Sequence, residues 1–205
     1  MNKCIIFGSA EISNYDNINI KSSDYIIAAD GGLVHVSQLG AVADLLLGDF
    51  DSIREFTDNY KEKLTVPAEK DDTDMMLAVK TAISKGFKEI VLYGALGGRL
   101  DHTYANIQIL EYIYEQGCNG TIIGDSDVVC FQGQGIKHYN RIDGYYFSVF
   151  AISPETVITT TGTKYNLDKY TLTTSFPLGV SNEILEKSCS VEVISGKLLI
   201  IFSSK

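Results

Sequence analysis

Up to about residue 127 the sequence alternates short apolar runs with stretches of helical spacing, and no other feature limits the fold as tightly. The runs cover residues 4–7, 25–29, 45–47, 64–66, 90–93 and 121–123. They read as strands of a parallel sheet, buried on both faces. Between them, residues 33–39, 73–85 and 101–116 carry apolar side chains at helical intervals. The last two stretches stop at Gly86 and Gly117, a residue favoured just past a helix end. Strand and helix in alternation predict an α/β domain with a mainly parallel sheet.

Beyond about residue 130 the pattern changes to closely spaced β-branched and aromatic runs, at 145–151, 157–161, 170–174, 191–194 and 198–202. No helical stretch intervenes, so the expectation is an all-β C-terminal domain, a small antiparallel sandwich or barrel. Ser195-Gly196 between the last two runs is a two-residue hairpin signal. The glycine-rich stretch 132–140 is the expected linker, giving domains at 1–130 and 131–205. A length of 205 residues suits either one large or two small domains.

Seventeen basic against 26 acidic side chains give a net charge of −9. That balance opposes attraction to nucleic acid or to an anionic membrane. A phosphate-bearing substrate therefore needs local help from a divalent cation or from amides at a helix N-terminus. Four cysteines without paired spacing suggest neither a zinc site nor a disulfide framework, and predict a reducing, cytoplasmic setting. The apolar run after Met1-Asn2-Lys3 is too brief for a signal segment, and none approaches membrane-spanning length, so a soluble, unexported protein is expected.

In open α/β sheets ligands bind beyond the carboxyl ends of the strands. The polar residues cluster there: Asp30-Gly31-Gly32 after the second run, Gly48-Asp49-Phe50-Asp51-Ser52 after the third, Lys70-Asp71-Asp72-Thr73-Asp74 after the fourth and Gly97-Gly98-Arg99-Leu100-Asp101-His102 after the fifth. Asp-Gly-Gly is also common turn chemistry. Asp49 and Asp51, one residue apart on an extended segment, would point to one side and share a cation such as magnesium; the ordinary reading is two solvated loop carboxylates, or Ser52 as a helix cap. Three aspartates in four residues at 71–74 repel one another unless a cation or Lys70 compensates. Asp74 and Thr73 are assigned to the site and Asp72 to a helix cap. The Gly97-Gly98-Arg99 stretch resembles a phosphate loop, with glycines opening the backbone to a ligand and arginine supplying a planar fork of donors. Asp101 could equally cap the helix that follows, and His102 lie on the surface or be packed. Neither of the common nucleotide-binding glycine motifs occurs.

In this order the four motifs resemble the bacterial thiamine pyrophosphokinases. The resemblance continues through Thr161-Gly162-Thr163-Lys164-Tyr165 and Gly179-Val180-Ser181-Asn182-Glu183, and so covers nearly the whole chain. It implies transfer of pyrophosphate from ATP to the thiamine hydroxyl with release of AMP, by a homodimer of two-domain subunits with thiamine at the subunit interface. By motif position, Asp49, Asp51, Asp74 and Asp101 would serve Mg2+ and the ATP phosphates, with Asp49, Asp51 and Asp74 on the metal. Asp30, Thr73 and Arg99 would bind the nucleotide, and Ser181 and Asn182 thiamine. With no tryptophan in the chain, stacking on thiamine falls to Phe50, Tyr165 or Phe176. Two rival classes remain: an aspartate-nucleophile phosphatase using Asp49, and a binding protein without turnover.

Overall fold

The computed structural model describes residues 2–16, 18–49, 59–66 and 71–205. They form two compact units, Met1–Asp125 and Ser126–Lys205. In the first, strands β1 (Cys4–Phe7), β2 (Tyr25–Ala29), β3 (Ala43–Gly48), β4 (Tyr60–Thr65), β5 (Glu89–Tyr93) and β6 (Asn119–Ile123) run parallel in the order β4-β3-β2-β1-β5-β6. Helices α1 (Leu33–Gln38), α2 (Asp74–Ser84) and α3 (Leu100–Glu115) lie between them in sequence.

The central strands are apolar without interruption because both faces are covered. Ile5, Phe7, Ile26, Ala28 and Leu46 share one face, in register, with Leu33 and Val36 of α1. Their neighbours Cys4, Ile6, Ile27, Leu45 and Leu47 alternate onto the other face and are buried equally. The edge strand β4 reads differently. Tyr60–Thr65 is mostly exposed, and its charged residues keep an open edge from pairing with another chain.

The second unit is all β. One sheet has the order β7-β13-β9, from Asp127–Gln132, Leu198–Ser204 and Tyr145–Ala151. The other has the order β11-β10-β12-β8, from Tyr170–Thr173, Glu155–Thr161, Ser188–Ser195 and Gly135–Asn140. Phe147, Ile158, Leu172, Val191, Ile200 and Phe202 are buried together in its core, drawn from both sheets.

Two sequence expectations are corrected here. The stretch 132–140 contains strand β8, paired along its length with β12. Its faces are largely exposed, so it lacks the apolar signature of a strand. Ser195-Gly196 does not close a hairpin, because β12 and β13 belong to different sheets. Gly196 turns the chain from one sheet to the other at φ +85°, under strand β10; a Cβ there would lie 2.6 Å from Thr156 Oγ1 and 2.7 Å from the Glu155 carbonyl oxygen.

Candidate active site

Strand order reverses at β1, with β2 on one side and β5 on the other, which is where an open parallel sheet leaves a crevice beyond its carboxyl ends. A cavity of about 520 Å³ opens there, within the first unit. Gly8, Ser9, Ala10 and Glu11 line it from the segment after β1, Asp30 from the end of β2, Asp49 from the end of β3, and Asp72, Thr73 and Asp74 from the head of α2. The β5–α3 loop adds Gly94, Gly97, Gly98 and Arg99, and α3 adds His102 and Asn106.

The walls are held close by backbone contacts. The Gly8 N–H donates to the Tyr93 carbonyl at 2.8 Å and the Ala10 N–H to the Gly94 carbonyl at 3.0 Å. Gly94, at φ +59°, admits no side chain, since a Cβ would stand 2.4 Å from the Gly8 oxygen. The turn after β2 contains a non-glycine residue at positive φ. Asp30 sits in the left-handed region at φ +49° and opens the 3-10 turn Asp30–Gly32 ahead of α1. An aspartate tolerates that conformation better than most residues, and such backbone is often kept where a side chain must be aimed.

Asp30, Asp49 and Asp74 thus reach one cavity from three different elements. Asp51 lies outside the described residues, as do Phe50, Ser52 and Lys70. Among the described residues no group of three or more His, Cys, Asp or Glu side chains is gathered closely enough to hold a metal ion.

The helix cap belongs to Thr73, whose Oγ1 accepts from the Met76 N–H at 3.1 Å. The sequence reading gave that role to Asp72. Asp72 instead takes both oxygens to the Lys80 ammonium, at 2.7 and 2.8 Å, so Lys80 offsets the carboxylate crowding ahead of α2. Arg99 forms a two-pronged pair with Asp101, Nε to Oδ1 at 3.1 Å and a terminal nitrogen to Oδ2 at 2.6 Å. That guanidinium, with the His102 N–H donating to Oδ1 at 2.9 Å, holds the Asp101 carboxyl below the usual aspartate range. Asp101 does not itself line the cavity, whereas Arg99 does.

Ser9, Glu11 and Asn106 also line the cavity and were not singled out from sequence. Ser9 and Glu11 follow the first apolar run directly, so the rule that located the other loops also points to them. Asn106 carries no such signal. It is 8% exposed in the middle of α3 and donates to the Ala95 carbonyl at 2.8 Å, fixing the β5–α3 loop to the helix.

Ser181 and Asn182 are in the second unit. Ser181, at φ +57°, donates its N–H to Ser148 Oγ at 3.0 Å. The Asn182 amide is engaged at both atoms: Oδ1 accepts from the Tyr165 and Glu183 N–H groups and Nδ2 donates to the Tyr165 carbonyl at 2.8 Å. It ties the loop bearing Tyr165 to the segment that follows Gly179. Tyr165 is 63% exposed and Phe176 61%, so neither is a core aromatic.

A family model described as the thiamin pyrophosphokinase catalytic domain matches residues 17–123, more than half of the chain. The chain belongs to the thiamine pyrophosphokinase family. A second model, the vitamin B1 binding domain of the same family, matches residues 135–198. Thiamine pyrophosphokinase of Bacillus subtilis is 29% identical over 185 residues, covering 87% of this chain and 86% of its own length. Thiamin pyrophosphokinase 1 of Caenorhabditis elegans is 25% identical over 186 residues, covering 84% and 76%. The crystal structure of the B. subtilis enzyme superposes with a TM-score of 0.88 at 25% identity, covering all of both chains. That of the Geobacillus thermodenitrificans thiamin pyrophosphokinase gives 0.86 at 26%, covering 100% and 98%. Members of this family are transferases that make thiamine diphosphate by placing pyrophosphate on thiamine.

Proposed function

We propose that the chain moves the pyrophosphate of ATP onto the hydroxyl of thiamine, releasing AMP, with the nucleotide in the cavity of the first unit. The observation that carries this reading is the convergence of Asp30, Asp49 and Asp74 on one cavity whose opposite wall is the loop bearing Gly97, Gly98 and Arg99. Carboxylates facing an arginine fork suit a polyphosphate with its metal, and phosphoryl-type transfer is mostly positioning and charge neutralisation.

The donor set fits magnesium, because carboxylate oxygens are hard ligands and no thiol joins them in the cavity. Asp49, Asp51 and Asp74 would hold the ion. Bound there, magnesium supplies neutralisation of charge on the phosphate oxygens. Arg99 receives the phosphates and Asp101 serves them by orienting Arg99, a role its lowered pKa suits better than proton abstraction. Asp30 and Thr73 bind the nucleotide, and Asp74 is the better candidate to take the hydroxyl proton.

Residues 131–205 form the thiamine side, through Ser181 and Asn182, in a homodimer that holds the vitamin at the subunit interface. The exposed rings of Tyr165 and Phe176 support an apolar ligand or partner surface there. Cytoplasmic location is supported by the four cysteines, all free thiols.

AMP formation from ATP and magnesium, with and without thiamine, tests the reading. Thiamine-dependent AMP release is expected, and Asp49→Asn, Asp51→Asn and Asp74→Asn should each lower it about 100-fold or more. ADP and phosphate as products would favour a phosphatase-like enzyme. Thiamine binding without any turnover would favour a sensor.

A further inference from the structure

We infer that His35 is a positioning residue for the nucleotide end of the cavity, joining three of its walls without touching the substrate. The inference rests on the reading of that cavity as the ATP site. His35 lies on α1, is 7% exposed, and does not line the cavity. A buried imidazole needs a partner for each ring nitrogen. Both partners come from the segment that follows β1: Nε2 is 2.9 Å from the Ala10 carbonyl oxygen and Nδ1 is 2.7 Å from the Tyr15 hydroxyl.

A carbonyl oxygen only accepts, so Nε2 bears a proton and donates to Ala10. Burial pushes the His35 pKa down. The Tyr15 hydroxyl has one proton and two neighbours, His35 Nδ1 and Gln38 Oε1, and so bridges the ring to the last turn of α1. Ala10 is gripped from its other side as well, its N–H donating to the Gly94 carbonyl at 3.0 Å. Beyond Ala10 the Ser13 and Asn14 N–H groups donate to the Asp125 carboxylate at 2.9 and 3.3 Å, just past the end of β6.

The mechanical consequence is that one ring connects the Asp30 turn at the head of its own helix, the Ser9–Ala10–Glu11 wall, and through Ala10 the loop leading to Arg99. Without the Ala10 bond, the wall carrying Ser9 and Glu11 is fastened to α1 only through neighbouring contacts, and the nucleotide must order it on binding.

The test is steady-state AMP formation by the full-length protein and its His35→Leu, His35→Gln and Tyr15→Phe variants. His35→Leu should raise KM for ATP about fivefold, the worth of one net hydrogen bond, with kcat and the KM for thiamine each changed less than about twofold. His35→Gln, which still offers a donor to Ala10, should recover most of the loss, and Tyr15→Phe should cost about twofold. A His35→Leu protein with a lower melting temperature but an unchanged KM for ATP would make His35 a packing residue and overturn the inference. Should His35→Leu fail to fold, Tyr15→Phe decides, and an unchanged KM for ATP there overturns it equally. Wild-type protein yielding no thiamine-dependent AMP would sink the functional reading instead; equilibrium binding of magnesium–ATP about fivefold weaker in His35→Leu than in wild type would then still support His35, and equal binding would overturn it.

Discussion

Gly32 has no space for a side chain: a Cβ there would stand 1.9 Å from the Phe7 carbonyl oxygen, at the end of the buried strand β1. Its neighbour Gly31 would meet only the Ser9 side chain, at 3.1 Å. The two glycines therefore answer differently to the same change. Gly32→Ala must displace α1 or β1 and should cost about 3 kcal/mol or more, lowering the melting temperature by roughly 10 °C, whereas Gly31→Ala should melt within a few degrees of wild type. Thermal unfolding followed by circular dichroism checks both. The positive φ of this turn belongs to Asp30 and not to either glycine. Turn chemistry makes the Asp-Gly-Gly motif visible in the sequence, but the reason for Gly32 is a contact with β1, more than twenty residues away, which no local pattern carries.

At the scale of elements, α2 starts where it does because Thr73 caps it, and that cap fixes the direction in which Asp74 leaves the helix. Thr73→Val keeps the volume and removes the acceptor. It should lower stability by about 1 kcal/mol, and AMP formation by more than that loss alone explains, because Asp74 shifts with the first turn. Comparing the unfolding midpoint with kcat for this variant checks the coupling. Most strands and helices of the first unit were legible because they are apolar on both faces or amphipathic at one period; the charged, exposed β4 was not, and only its end coincides with the run read at 64–66. The second unit was legible only in part. Strand β8 exposes residues such as Ile136, at 62%, and so hid inside what resembled a linker. The chain does bend at Gly196, but which sheet each flanking strand joins depends on partners far away in sequence. Of the site, the aspartates and Arg99 stood out from position alone, whereas the Arg99–Asp101 and Asp72–Lys80 pairings needed coordinates.

At the scale of the molecule, Glu183 joins segments far apart in sequence by ion pairs. It accepts from Lys164 at 2.7 Å and also pairs with Lys205, near the two ends of the second unit's later half. Lys164 first and then Lys205 hold its carboxyl down at about 2, against an ordinary value of 4.5. The unfolded chain therefore binds this proton first. Stability from Glu183 is fully present above pH 4.5 and drains as pH falls from there toward 2. The melting temperature of wild type should drop through that window more steeply than that of Glu183→Gln, as a pH series of thermal melts would record. The pair is exposed to solvent, so added salt should shrink the difference.

The strand order of the second unit also bears on its birth at the ribosome. β13 (Leu198–Ser204) is the middle strand between β7 and β9, although it is the last of the three to be synthesised. β9 has no strand partner in its sheet until β13 emerges, and its apolar face must wait through the chain from residue 151 to residue 198. The parallel unit has no such delay among β1, β2 and β3, which pair in the order in which they are made. Nascent chains of this protein should therefore gain protease resistance in two steps, early for the first unit and late, all at once, for the second.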